Sequence, residues 1–268
     1  MQVNHEVPYI FLEESKNFND YDFCLPHLLD KSYEYYDYFV NAKKQNRYII
    51  MDNSLHELGT SYDSDRLLHW IDVIQPNVFI VPDVWKDMNQ TLVNAKYWRQ
   101  FKYPEGTELM AVVQAKSYHE ASICYKTLKD MGYKKIAFSY GADYYKNFAI
   151  KRTIPKSDYV LKAQGRIEVI KSLYNNGIIN KSDYVHLLGC AVPQEFAHYK
   201  DMPFIKTIDT SNPVMAALDG MRYSNFGLDI KPISDINSHF FMEKDEKYPK
   251  YLENIKYNVE QFRKINKI

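Results

Sequence analysis

Four polar side chains stand where apolar runs of this chain stop. The stretches 47–52, 78–83, 109–114 and 204–209 are apolar or β-branched for most of their length, then end on Asp52, Asp83, Gln114 and Asp209. In parallel α/β sheets the C-terminal strand ends surround one crevice or mouth, so residues distant in sequence meet there. Three carboxylates and an amide at such ends form an active-site layout. Asp209 lies in Ile208-Asp209-Thr210-Ser211-Asn212-Pro213. An ionised carboxylate there can attack an acetal-like carbon and form a covalent glycosyl intermediate. Capping of the next helix is the alternative, and for this segment alone it is the commoner use of an aspartate.

Asp52 opens Asp52-Asn53-Ser54-Leu55-His56-Glu57-Leu58-Gly59, with Asp52 and Glu57 five residues apart. Turn chemistry explains Asn, Ser and Gly in such a loop. The density of ionisable groups after a buried strand favours function. His56 reads as a surface or supporting histidine, because no partner spacing suits a metal. Asp83 accepts hydrogen bonds, while Gln114 both donates and accepts, a combination suited to the edge of a purine-like base. The plainer roles are a helix cap for Asp83 and a loop-backbone partner for Gln114. Trp85, Tyr140 and Tyr144 are candidates to stack on a ring. Ser139-Tyr140-Gly141 and the segment around Gly189 place glycines where backbone approaches something closely, although turn geometry alone also accounts for them. Cys190 reads as a small buried residue.

These residues need strands to carry them. The pattern predicts strands at 9–13, 47–52, 78–83, 109–114, 135–140, 184–189 and 204–209, with a weaker eighth at 226–230. Helices are predicted at 28–44, 63–74, 89–101, 118–131 and 159–175, and the C-terminal one at about 248–265. Strands alternating with helices mean a mostly parallel sheet. Eight such units in a single domain spanning 1–268 match an α/β (β/α)8 TIM-type barrel. An open doubly wound sheet would show a glycine-rich turn after its first strand, and 9–20 contains no glycine.

Composition narrows the class. The chain has 268 residues, 46% apolar and 25% charged, with 34 Lys+Arg against 34 Asp+Glu, so net charge neither favours nor disfavours a polyanion. A local excess follows the fifth predicted strand: Lys146, Lys151, Arg152, Lys156, Lys162 and Arg166 form a strip able to track a phosphate backbone, or an ordinary solvated helix flank. Three scattered cysteines argue against a disulfide framework and a cysteine-rich zinc site. No apolar run approaches the ~20 residues of a membrane span, and no signal-peptide pattern is seen. A cytoplasmic protein is expected. The 24 tyrosines with abundant Lys and Asn fit an AT-rich, viral genome, which would make that compartment the host cytoplasm.

Taken in order, these segments resemble the tRNA-guanine transglycosylase superfamily, which includes phage and bacterial DNA transglycosylases that insert 7-deazaguanines. Asp52-Asn53-Ser54 with Glu57 is similar to its Asp-Ser-Gly-Gly-Phe-Gln segment. Asp83 falls at its base-recognition aspartate, and Gln114 at the glutamine of Val-Gln-Gly. Residues 137–141 resemble Gly-Leu-Ser/Ala-Val-Gly. Leu187-Leu188-Gly189 with Pro193 and Glu195 resembles Leu-Met-Gly-x-Gly-x-Pro-Glu, and Asp209 ahead of Pro213 resembles Phe-Asp-x-x-x-Pro, one residue shorter. The likeness spans roughly 47–215.

The resemblance implies Asp209 as nucleophile and Asp52 as general acid/base. It implies base-site roles for Asn53, Ser54, Glu57, Asp83, Gln114, Ser139, Tyr140, Gly141 and Gly189. Nucleic-acid contacts would come from Lys146, Lys151, Arg152 and Lys156. The implied partners are DNA, with tRNA as the alternative, and a free 7-deazaguanine base. A homodimer is left open, and no cofactor is required. The chain departs from the family in having no cysteine after Cys190, so the family's zinc site is not expected. Ala142 also replaces the glutamate that senses an aminomethyl group on the incoming base, which favours a nitrile- or amide-bearing 7-deazaguanine. A catalytically silent nucleic-acid-binding barrel and an unrelated metal-dependent barrel hydrolase are the rival readings.

Overall fold

A computed structural model describes residues 1–149 and 157–268. Its strands are β1 (Gln2–Asn4), β2 (Asp22–Cys24), β3 (Ile49–Met51), β4 (Val78–Ile80), β5 (Glu108–Val113), β6 (Lys135–Ser139), β7 (Tyr184–Leu188) and β8 (Ile205–Asp209). The principal helices are α1 (Tyr33–Lys44), α2 (Ser64–Ile74), α3 (Met88–Trp98), α4 (Tyr118–Asp130), α5 (Asp158–Asn175), α6 (Asn212–Leu218) and α7 (Tyr248–Asn266). The fold class is the expected α/β, (β/α)8 TIM-type, with eight parallel strands and interspersed helices.

Two compact units make up the chain, 21–138 and 1–20 with 139–268. In the first, β2 to β6 pair in succession, all parallel. Ile49-Ile50-Met51 and Val78-Phe79-Ile80 are buried at every position, as parallel strands covered on both faces must be. Helix α2 buries Leu67, Trp70, Ile71 and Ile74 at helical spacing and begins where the Asp63 carboxylate accepts from the Arg66 N–H. Ser117 caps α4 in the same way.

In the second unit β8 lies between β1 and β7, parallel to both. Asn4 sits opposite Asp209. The β7–β8 register slips between Val185 and His186: Val185 faces Ile205, while His186 faces Thr207. A bulge of this kind re-aims side chains. Here it sets His186 beside Thr207 and on the face of β8 that also carries Asp209, two residues on.

The structure departs from expectation in several elements. Residues 9–13 are not a strand. They form a 3-10 turn (Tyr9–Phe11) running into a helical turn (Leu12–Ser15), because a short apolar run lacks the period that separates helix from strand. The first strand is instead the three-residue β1, too short to show a pattern. Strand β2 was hidden by a charge within it: Asp22 is buried, accepting from Tyr38 Oη at 2.9 Å and from Arg47 Nε at 2.5 Å. The predicted helix 28–44 is broken into Pro26–Leu29 and α1, where Ser32 takes extended backbone and caps Tyr35. Residues 226–230 are no strand but the exit of a turn held by an isolated Ser224–Gly227 bridge, with Phe226 84% exposed.

Helix α5 crosses the turn Tyr145–Phe148 at Gly165, where an added Cβ would lie 1.8 Å from the Tyr145 carbonyl oxygen. That backbone has no side-chain freedom with which to yield. Gly165→Ala is therefore expected to lower unfolding free energy by about 1–3 kcal/mol, and denaturant unfolding monitored by circular dichroism will check it.

Candidate active site

In the 21–138 unit the loop after β3 is organised by its own side chains. The Asp52 carboxylate accepts the Ser54 N–H at 3.0 Å, and Asn53 Oδ1 accepts the Leu55 N–H at 2.9 Å. Ser54 is left-handed (φ 61) and its hydroxyl meets His27 Nδ1 at 2.8 Å. Asn53 Nδ2 donates to Asp83 Oδ1 at 2.8 Å, while Gln114 Nε2 donates to Asp83 Oδ2 at 2.7 Å. Gln114 Oε1 in turn accepts the Lys86 N–H at 3.0 Å. Asn53, Asp83 and Gln114, from the ends of three successive strands, thus form one buried network. Glu57, in the turn Leu55–Leu58, is partly buried, and His56 is exposed and edge-on to Trp85.

Asp83 does not cap a helix, a task that falls to Asp87 at α3. Burial pushes the Asp83 carboxyl above the usual carboxylate range, and the hydrogen bonds from Gln114 and Asn53 pull it partly back. Gln114 fills the plainer role weighed for it, as a loop-backbone acceptor, and in addition donates to the Asp83 carboxylate. Trp85 is 48% exposed and precedes Lys86, whose N–H joins this network.

In the unit containing 139–268, Asp209 is 4% exposed at the end of β8. Its Oδ1 lies 2.8 Å from His186 Nε2, and its Oδ2 accepts the Gly189 N–H at 3.2 Å. It does not cap α6, whose N-cap position is Ser211 with no side-chain bond. An ionised carboxylate only accepts, so His186 Nε2 donates to it. In the neutral imidazole that leaves Nδ1 to accept from Thr207 Oγ1 at 2.7 Å, and Thr207 meets the Tyr184 hydroxyl at 3.1 Å. A line of hydrogen bonds therefore runs from Tyr184 through Thr207 and His186 to Asp209. His186 reads from sequence as a core histidine. It is fully buried, yet it holds the nucleophile candidate, and no sequence motif marks the bulge that brings it there.

The glycine segments have distinct tasks. Gly189 has φ +59, and a Cβ on it would lie 2.5 Å from Tyr140 Cδ1, so the tyrosine ring rests on the glycine. The Tyr140 hydroxyl accepts from Lys231 Nζ at 2.6 Å. Ser139 and Gly141 take part through their carbonyls, which accept from the Tyr145 hydroxyl at 3.1 Å and from Lys162 Nζ at 3.2 Å. Tyr144 is buried against Tyr145 and is not a stacking platform. Burial pushes the Cys190 thiol up to about 12, as an inert core residue requires.

The basic strip is not continuous among the described residues. Lys146 pairs with Asp158 at 2.8 Å, Lys162 with Asp143 at 3.1 Å, and Arg166 is wholly buried against Glu195. Lys151, Arg152 and Lys156 lie outside the described residues. Among the described residues no group of three or more His, Cys, Asp or Glu could hold a metal ion, and no helix is long and apolar enough to cross a membrane. No protein-family model matches the chain, and no curated protein matches it.

The Asp83 network makes a titration testable. Because burial raises its native pKa above the unfolded value, the native state holds the proton more tightly there. This carboxyl therefore lowers net stability as pH rises from the ordinary carboxylate range through its native pKa. Gln114→Met removes a donor that favours the ionised form, so the Asp83 midpoint is expected to move higher still. Carboxyl carbon NMR of the two proteins will show it, and an unchanged or lower midpoint contradicts the assignment.

Proposed function

We propose that this protein is a base-exchange transglycosylase that replaces guanine in a polynucleotide by a 7-deazaguanine derivative. The observation that carries the reading is the placement of Asp209: a buried carboxylate at a strand end, held by His186 and the Gly189 N–H rather than spent on a helix cap. Its supports are the resemblance of six ordered segments and the buried Asn53–Asp83–Gln114 network.

In the proposed reaction the target nucleotide leaves its stack. An Asp209 oxygen attacks C1′ as the C1′–N9 bond breaks through an oxocarbenium-like transition state, its electron pair passing to the guanine. Asp52 delivers a proton to that leaving base. Asp52 then takes the N9 proton of the incoming base, which attacks C1′ and returns the ester electron pair to Asp209. Asp83 and Gln114 read the hydrogen-bonding edge of the base, and Trp85 offers a stacking face. Base enters and base leaves, so the scheme has no net hydrolysis and calls on no redox step. DNA is the proposed polynucleotide and tRNA the alternative, with the cytoplasm as compartment. Mass spectrometry of nucleosides from DNA and tRNA of cells with and without the protein separates these substrates.

The test is exchange of labelled guanine into each polynucleotide. Asp209→Asn keeps the size of the side chain but not the nucleophile, and should lower exchange by roughly 10³-fold or more with a near-native melting curve. Full exchange in that variant would falsify the proposal. His186→Phe removes one donor from the same carboxylate, and roughly a 10²-fold fall in kcat is expected with KM for the free base little changed. A loss confined to KM would place His186 in base binding instead.

A further inference from the structure

We infer that Arg166 and Glu195 form a positioning device that aims the Leu188–Gly189 peptide at Asp209. Arg166 comes from α5 and is fully buried, as is Glu195 in the turn Pro193–Tyr199. Arg166 Nε donates to Glu195 Oε1 at 2.6 Å, and the Tyr199 hydroxyl donates to the same oxygen at 2.8 Å. The guanidinium's two terminal nitrogens remain to be placed. Nη1 reaches the Leu188 carbonyl at 3.0 Å and Nη2 the Gly189 carbonyl at 2.8 Å.

The Leu188 carbonyl belongs to the same peptide unit as the Gly189 N–H, and that unit is planar and trans. Fixing the direction of its oxygen fixes the opposite direction of its N–H. The oxygen is gripped twice, by Arg166 Nη1 and by the Tyr140 N–H at 3.0 Å. The N–H on the other side donates to Asp209 Oδ2. Tyr140 closes the remaining freedom by filling the space where a Cβ of residue 189 would stand. A cation on the carbonyl also polarises the peptide and strengthens its N–H as a donor. The arginine thus acts on the carboxylate through one peptide, without touching it.

A purely structural ion pair would not need this fork. Lysine offers a point charge and cannot serve a carboxylate and two carbonyls in one plane, whereas guanidinium geometry does. Glu195 offsets the buried charge and orients the fork. Gly165, the preceding residue, lets the α5 backbone close on Tyr145.

The activity arm of the test rests on the base-exchange reading, and a second arm does not. Replacing a buried pair by neutral groups of similar size often preserves stability, so the variant is Arg166→Met with Glu195→Gln, which keeps an acceptor for Tyr199. Its kcat for labelled-guanine exchange should fall at least about tenfold while KM for free base stays near the wild-type value. Independently, hydrogen exchange of the Gly189 amide, followed by NMR, should be slow in the wild type and at least about tenfold faster in the variant. Wild-type kcat in a cooperatively folded variant overturns the proposal. So does unchanged Gly189 protection, or fast Gly189 exchange in the wild type itself, which decides even if the variant does not fold. A wild type inactive on both polynucleotides sinks the base-exchange reading alone, and the amide measurement still judges the positioning device.

Discussion

A carboxylate with almost no access to water must find its hydrogen bonds inside the protein, and Asp209 sets that demand for its whole unit. Burial of an unpaired carboxylate costs several kcal/mol, and β7 with the turn after it answers with two donors. Strand β7 supplies His186, the turn after it supplies the Gly189 N–H, and the β7–β8 bulge lets the imidazole stand between Thr207 and Asp209. The two donors approach different oxygens. Neither is a direct arginine contact, and together they hold the carboxylate in place. The arginine of this neighbourhood is spent one peptide further back.

Asp83 meets the same demand in the other unit with different means. Its donors are two side-chain amides, and burial raises its pKa while those bonds pull it partly back. Two buried aspartates at strand ends thus receive different environments, and environment is what divides carboxylates between roles. The amides that hold Asp83 come from the loops after β3 and β5. The geometry of this network is therefore built into the backbone positions of neighbouring strands.

The polar residues at strand ends were legible because burial of the preceding strand forces an unbroken apolar run, and the run stops where water or a site begins. Asp52, Asp83, Gln114 and Asp209 were found in this way, as were α2 and α4 from their helical spacing. Strand β2 was not, because Asp22 interrupts it and its partners Arg47 and Tyr38 lie elsewhere in sequence. Strand β1 has three residues and no room for a period. His186 could be assigned to the core but not to Asp209, since a register shift depends on pairing between strands and leaves no mark in either one. Arg166 was grouped with surface cations for a similar reason: only the fold shows that Glu195, 29 residues later, is its buried partner. Charge runs are legible as composition, whereas the compensation of a single charge is a tertiary fact.

The turns that follow β3, β4 and β7 share one more property. Ser54, Lys86 and Gly189 all take left-handed backbone, with φ of 61, 60 and 59. For a residue with a side chain this costs about 1–2 kcal/mol, and glycine would relieve it. At 189 glycine is indeed present, because Tyr140 leaves no space for more. At 54 and 86 the side chains are kept and the backbone is held by local bonds, from Asp52 to the Ser54 N–H and from Gln114 to the Lys86 N–H. Those two acceptors are themselves candidate site residues. The same hydrogen bonds that tolerate the strain therefore orient Asp52 and Gln114, and relaxing the turns to glycine would loosen the side chains that they position.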